Sequence, residues 1–142
     1  MVSMTQLLSS KGSHVWSISP DATVFAGLRL MSEKNIGALL IVDGSAPVGI
    51  MTERDYARKI ILDGRSSHET KISSIMTTRL VSAKTTDSVE QAMGLMTRER
   101  VRHLPVMDGA RVAGLVSIGD LVKAMIDQQQ FTIDQLERYI TT

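Results

Sequence analysis

The sequence predicts a mixed α/β (α+β) fold made of two pseudo-symmetric β-α-β-β-α repeats, and three observations carry that prediction. The first is internal repetition: Ser19–Arg58 aligns without a gap onto Lys84–Lys123. The second is a hairpin in each copy. Ala38–Val42 is an apolar run of buried-strand type, Asp43-Gly44 turns the chain, and Val48–Met51 returns; Leu104–Met107, Asp108-Gly109 and Val112–Val116 repeat the pattern. The third is a doubled junction. Gly49-Ile50-Met51-Thr52-Glu53-Arg54-Asp55 recurs as Gly114-Leu115-Val116-Ser117-Ile118-Gly119-Asp120, in which a hydroxyl residue sits where a strand hands over to a helix.

Each element follows from local pattern. Residues 1–14 read as an arm carrying a short apolar patch, Leu7-Leu8. Residues 15–64 form the first repeat. Val15–Ile18 is a brief strand, Asp21 or Thr23 caps the next helix, and Val24, Gly27, Leu28 and Met31 give that helix an apolar stripe. After the hairpin a helix runs from about Glu53 to Leu62, with Gly64 as its C-cap. Residues 65–79 are a connection containing a short segment, Ile72–Met76.

The second repeat spans 80–127. Leu80–Ser82 is its brief strand, Asp87 with Glu90 makes a capping box, and a helix from about Ile118 to Ile126 closes the unit. Residues 128–142 form a further amphipathic helix, with Thr132 and Gln135 as its capping box and Phe131 and Leu136 at hydrophobic-staple spacing. Such a helix folds back on its own domain or packs on a partner subunit.

Bulk properties narrow the function classes. The 142 residues suffice for one domain, or two small units sharing a core. A formal net charge of +1 gives no field favouring nucleic acid or an anionic membrane. The absence of cysteine removes disulfides, thiolate zinc sites and thiol nucleophiles, and fits a reducing compartment. His14 and His68 lack ligand-spaced partners, so no metal site is expected, and no Ser-His-Asp set or P-loop lysine indicates an enzyme. With neither a signal-peptide core nor a run of transmembrane length, the expectation is a cytoplasmic protein that engages no membrane.

The doubled junction has two readings. In one, Thr52 with Asp55 and Ser117 with Asp120 are capping boxes that satisfy the free N–H groups of a helix start. In the other, the helix N-terminus and the hydroxyl hold a phosphate while the aspartate accepts hydrogen bonds from a ribose diol. The motif alone favours the first; repetition of the aspartate shifts the balance toward the second, although capping still accounts for it.

A strand, helix, hairpin and helix in tandem, each copy ending in glycine, two apolar residues, Ser/Thr and a later Asp, resembles a pair of cystathionine β-synthase (CBS) domains, a Bateman module. Arg102-His103-Leu104-Pro105-Val106-Met107-Asp108-Gly109 strengthens the likeness, which covers about Val15 to Ile126. It is nearest to the stand-alone bacterial two-repeat proteins. The resemblance implies a regulatory module that binds an adenosine ligand, AMP, ADP, ATP or NAD, in a cleft between repeats. It implies no obligatory cofactor, a homodimer through the CBS pair and a regulated partner protein.

Carried over to this chain, the first site takes Thr52, Arg54 and Asp55, with Trp16, Ser17 and Ala38 near the base. Arg102 and His103 would reach its phosphate. The second takes Ser117 and Asp120, with Val81 and Ser82 near the base and uncharged Gly37 and Ala38 facing it. Leu104, Pro105, Ile118 and Gly119 complete the set. The sites should therefore be unequal, the Thr52/Asp55 site preferring the more phosphorylated ligand.

Read as residues alone, Arg100 and Arg102 alternate on an emerging strand and can converge on one anion. Trp16 is a packed rim residue or a stacking platform, Lys11 and Gly12 can close over a ligand, and Tyr56, Arg58 and Lys59 form helix surface. The alternative function is an interaction dimer whose capping boxes bind no ligand.

Overall fold

The computed structural model describes residues 2–141, which form two compact units. One is Val15–Leu80; the other joins the N-terminal segment up to His14 to everything from Val81 onward. In chain order the elements are α1 (Met4–Lys11), β1 (Ser17–Ile18), α2 (Val24–Lys34), β2 (Ala38–Asp43), β3 (Ala46–Thr52) and α3 (Glu53–Tyr56). There follow a π-helical turn (Ala57–Ile61), a 3₁₀ turn (Ile72–Ser74), β4 (Ala83–Lys84), α4 (Val89–Glu99), β5 (His103–Asp108), β6 (Arg111–Ser117) and α5 (Ile118–Thr141).

Each unit has a three-stranded sheet, β1-β2-β3 or β4-β5-β6, whose first pair is parallel and second antiparallel. The registers repeat: Ile41 pairs with Gly49 and Val106 with Gly114, and each hairpin has a bulge immediately after that pair. Gly44 and Gly109 begin the hairpin loops at φ +64° and +62°, a left-handed conformation a glycine adopts without steric cost. Leu39, Ile41 and Met51 fill one core and Leu104, Val106 and Val116 the other, all at 0% exposure.

Several element ends differ from the sequence expectation. The helix cap before α4 is Ser88, paired reciprocally with Gln91, because the Asp87 carboxylate already accepts from the Lys84 N–H at 2.9 Å. Thr23, not Asp21, caps α2. The brief strands shrink to Ser17–Ile18 and Ala83–Lys84; buried Ala83 takes the place beside Val106, and Leu80–Ser82 stays outside the sheet. Arg100 ends α4 in a left-handed conformation (φ 56°), and β5 starts only at His103, so Arg100 and Arg102 do not alternate on one strand.

The helix after β3 begins as one α-helical turn and widens into π-helical geometry; its C-cap is Leu62 rather than Gly64, which sits in the following turn at φ +67°. The tail does not start a separate helix. Nothing between Ile126 and Thr132 breaks the pattern, and the Thr132 hydroxyl donates back to the Gln128 carbonyl at 3.1 Å, so α5 runs unbroken for 24 residues and the Thr132/Gln135 box does not form. Among the described residues no helix is long and apolar enough to cross a membrane.

The arm is a helix. Ser3 and Gln6 form its capping box, and Met4, Leu7 and Leu8 are buried in the core of the β4-β5-β6 unit. Its docking copies that of the connection onto the other unit, bond for bond. The Met4 N–H donates to Asp87 O at 2.8 Å as Ile72 N–H does to Ala22 O at 2.9 Å. Thr5 N–H reaches Thr85 O (3.1 Å) as Ser73 N–H reaches Pro20 O (2.9 Å), and Val89 and Val24 donate to Val2 O (2.9 Å) and Thr70 O (2.8 Å). Each repeat is thus completed by the segment that precedes the other repeat. The junction glycines admit these segments: a Cβ on Gly114 would meet Leu8 Cδ2 at 2.5 Å, and one on Gly49 would meet Met76 Sδ and the Thr77 carbonyl at 2.9 Å.

Candidate functional site: two carboxylates at helix starts

Both doubled junctions fold as reciprocal caps. Thr52 N–H donates to Asp55 Oδ2 at 2.9 Å, and Asp55 N–H donates to Thr52 Oγ1 at 3.1 Å. Ser117 N–H donates to Asp120 Oδ2 at 2.8 Å, and Asp120 N–H to Ser117 Oγ at 3.1 Å. A further donor at each helix start is spent on the turn entering the buried strand: Glu53 N–H on Gly37 O (3.1 Å) and Ile118 N–H on Arg102 O (2.9 Å).

The two carboxylates then diverge. Asp55 is only 9% exposed. Its Oδ1 lies 3.3 Å from Lys59 Nζ and accepts from the Thr77 hydroxyl at 3.4 Å, while Lys59 also donates to Ile75 O at 2.7 Å. Asp120 Oδ2 takes the Lys11 ammonium at 2.6 Å, and Lys11 also donates to Leu115 O at 2.6 Å. Asp120 Oδ1 has no hydrogen-bond partner among the described residues. Partial burial by itself would raise the Asp120 carboxyl. The Lys11 hydrogen bond, the Ser117 N–H and hydroxyl, and the Lys11 charge outweigh it and hold the carboxyl below its ordinary value.

Each aspartate therefore has a lysine beside it, from different sources. Lys59 is four residues along the same helix, a spacing that signals an ion pair in the sequence, so it is not the plain helix surface expected of it. Lys11 comes from the end of α1 and gives the Ser117/Asp120 junction a cation. Thr77 was missed because it bonds Asp55 across 22 residues.

The remaining candidates divide by burial. Ala38, Leu104 and Pro105 are buried in their sheets. Arg54, Ser17, Ser82, Arg102 and Gly119 are exposed, and Val81, Ile118 and His103 are half-buried. Ala38 pairs with Thr52 and His103 with Ser117, so each buried strand starts beside a junction hydroxyl. Trp16 packs on the core of its unit, with Lys34 Nζ 4.2 Å from its ring centroid. Among the described residues no group of three His, Cys, Asp or Glu side chains is placed to hold a metal ion.

The comparisons with known proteins agree with this architecture. The model of the CBS domain family matches residues 10–62 and 72–127. The CBS domain-containing protein CBSX3 of Arabidopsis thaliana mitochondria is 42% identical over 93% of this chain, which spans 66% of that relative's length. A solved CBS-domain protein from Burkholderia ambifaria MC40-6 is 46% identical, superposes with a TM-score of 0.87, and is matched over 93% of this chain and 99% of its own. The CBS domain pair of protein MJ0100, solved with 5′-methylthioadenosine and S-adenosyl-L-methionine, is 22% identical over 90% of this chain and 98% of its own. Its TM-score is 0.79, a likeness of fold. With two repeats, the right sheets and both junctions in place, this chain belongs to the CBS domain family, whose paired repeats act as regulatory modules.

Proposed function

We propose that this chain is a ligand sensor that binds an adenosine-containing molecule at its junction carboxylates and passes occupancy to a partner protein. The observation that carries the reading is the Lys11–Asp120 arrangement. A carboxylate with one unused oxygen lies beside an ammonium at the start of a long helix. A ribose diol donates to such an oxygen, and a phosphate suits the cation and the helix dipole. The adenosine ligands of MJ0100 support the ligand class.

In this reading Ser117, Ile118, Gly119 and Asp120 hold one ligand and Thr52, Arg54 and Asp55 a second. Trp16, Ser17, Ala38, Val81, Ser82, Leu104 and Pro105 lie by the bases, and Arg102 with His103 hold phosphate at the Thr52/Asp55 site. That site takes the more phosphorylated ligand, AMP, ADP, ATP and NAD being the candidates. The protein works without catalysis or an obligatory cofactor, as a cytoplasmic homodimer formed through its CBS pair. Occupancy becomes a signal only if a partner contacts the liganded and empty states differently.

A second reading, an interaction dimer that binds nothing, is favoured by one observation: both aspartates already serve their own helix caps. One titration separates the two. Trp16 is the only tryptophan, so its fluorescence, together with thermal unfolding, reports added AMP, ATP, NAD or S-adenosylmethionine. The sensor reading expects a saturable signal and an upward thermal shift for at least one; silence with all four leaves the structural dimer.

A further inference from the structure

The long helix α5 carries an apolar stripe that its own unit leaves uncovered. Val122, Ile126, Ile133, Leu136 and Ile140 are 40%, 59%, 47%, 57% and 79% exposed. With Gln129 they recur at alternating intervals of four and three residues. That is the heptad seam of a coiled coil, with isoleucine at every a position and Val122, Gln129 and Leu136 at d. An isolated amphipathic helix has no reason to keep a strict heptad, since core-facing stripes follow the wider 3.6-residue pattern.

The flanking residues specify the partner. We propose that α5 pairs antiparallel with α5 of a second copy of this chain. In that arrangement a positions face d positions: Ile126 meets the partner helix's Leu136, Ile133 its Gln129, and Ile140 its Val122. The e positions then pair with each other, which sets Lys123 against the partner helix's Glu137 at both ends of the seam. The g positions set Met125 against its Tyr139, a favourable sulfur–aromatic contact. A parallel pair in register sets g against e, matching Met125 with Gln130 and Thr132 with Glu137, and brings no opposite charges together. Charge complementarity therefore selects the antiparallel form. Gln129, the one polar seam residue, fixes register by facing Ile133 on both sides of the dimer's centre. This association is separate from ligand binding and from any dimer made through the sheets and helices of the repeats.

Cysteine cross-linking tests it cleanly, because the chain has no cysteine of its own. Gln129→Cys and Ile133→Cys variants, both exposed sites, are oxidised separately and as an equimolar mixture of the full-length proteins. Antiparallel pairing joins one variant to the other in the mixture and gives no disulfide in either alone, since only the 129–133 layer brings Cα atoms within disulfide reach. Disulfides within each single variant would overturn the antiparallel assignment, and no disulfide in any sample would overturn helix pairing altogether. As an independent check, Lys123→Glu and Glu137→Lys should each weaken self-association by about tenfold, summed over two symmetric pairs. The double variant should restore it; a double variant as weak as the singles would overturn the charge pairing.

Discussion

Lys11 Nζ sits 2.6 Å from Asp120 Oδ2, tying the last residue of α1 to the first turn of α5. The pair joins the two features that the fold adds to the repeats, a docked N-terminal helix and an extended final helix. It also lies at the junction where a sugar or phosphate would bind. A ligand at this site meets Lys11 either as a competitor for Asp120 or as its own cationic partner.

The pair predicts a pH signature. The folded-state pKa of Asp120 is lowered, so its contribution to stability is present above the ordinary carboxylate pKa and is lost as pH falls through the lowered folded value. Both side chains are partly exposed, which limits the effect to about 0.2–1 kcal/mol after solvent screening. Lys11→Met should therefore be less stable than the parent by that amount near neutral pH. The gap should close as pH falls through the lowered folded value. Urea denaturation at neutral pH and over an acid series measures both.

The junction glycines should differ in tolerance. A Cβ at Gly114 meets side-chain atoms of Leu8, which can shift within the core, whereas one at Gly49 meets the Thr77 backbone carbonyl as well as Met76. Gly114→Ala should cost about 1 kcal/mol and Gly49→Ala toward 3 kcal/mol, the range of overpacking costs. Thermal or denaturant unfolding of the two variants ranks them; the reverse order would show that the connection is looser than α1.

Much of the fold is legible because the same physical signals occur twice. The apolar runs of β2 and β5 and the Thr52 and Ser117 caps lie where local pattern places them, and the hairpin loops, Gly44-Ser45 and Gly109-Ala110, fall one residue later than Asp43-Gly44 and Asp108-Gly109. What local pattern misses is set at a distance. Leu7 and Leu8 look like a patch in an arm, and only the Val89 and Asp87 hydrogen bonds turn that arm into the counterpart of Ile72–Met76. Asp87 looks like a cap until the Lys84 N–H claims it. At the site, Asp55 and Asp120 are readable from repetition, and Lys59 from its spacing, but no spacing rule links Lys11 to Asp120 across 109 residues.

Arg100 offers a stabilising substitution. It holds a left-handed conformation at the end of α4, where glycine carries no Cβ penalty. Arg100→Gly should raise stability by about 0.5–1 kcal/mol. Because Arg100 lies off β5, the variant should leave nucleotide affinity unchanged, measured by thermal unfolding and titration in parallel.

The most direct test of the central claim is calorimetric titration of AMP into the parent protein, Asp55→Asn and Asp120→Asn. Asparagine keeps an acceptor for the cap N–H, so each variant keeps its helix start while losing the charge that would hold a ribose diol. The account predicts that the parent binds and that Asp120→Asn weakens its site by tenfold or more, the scale of a charged hydrogen bond of about 1.5–3 kcal/mol. Identical affinity and stoichiometry in all three folded proteins, or no heat of binding from the parent, would contradict it.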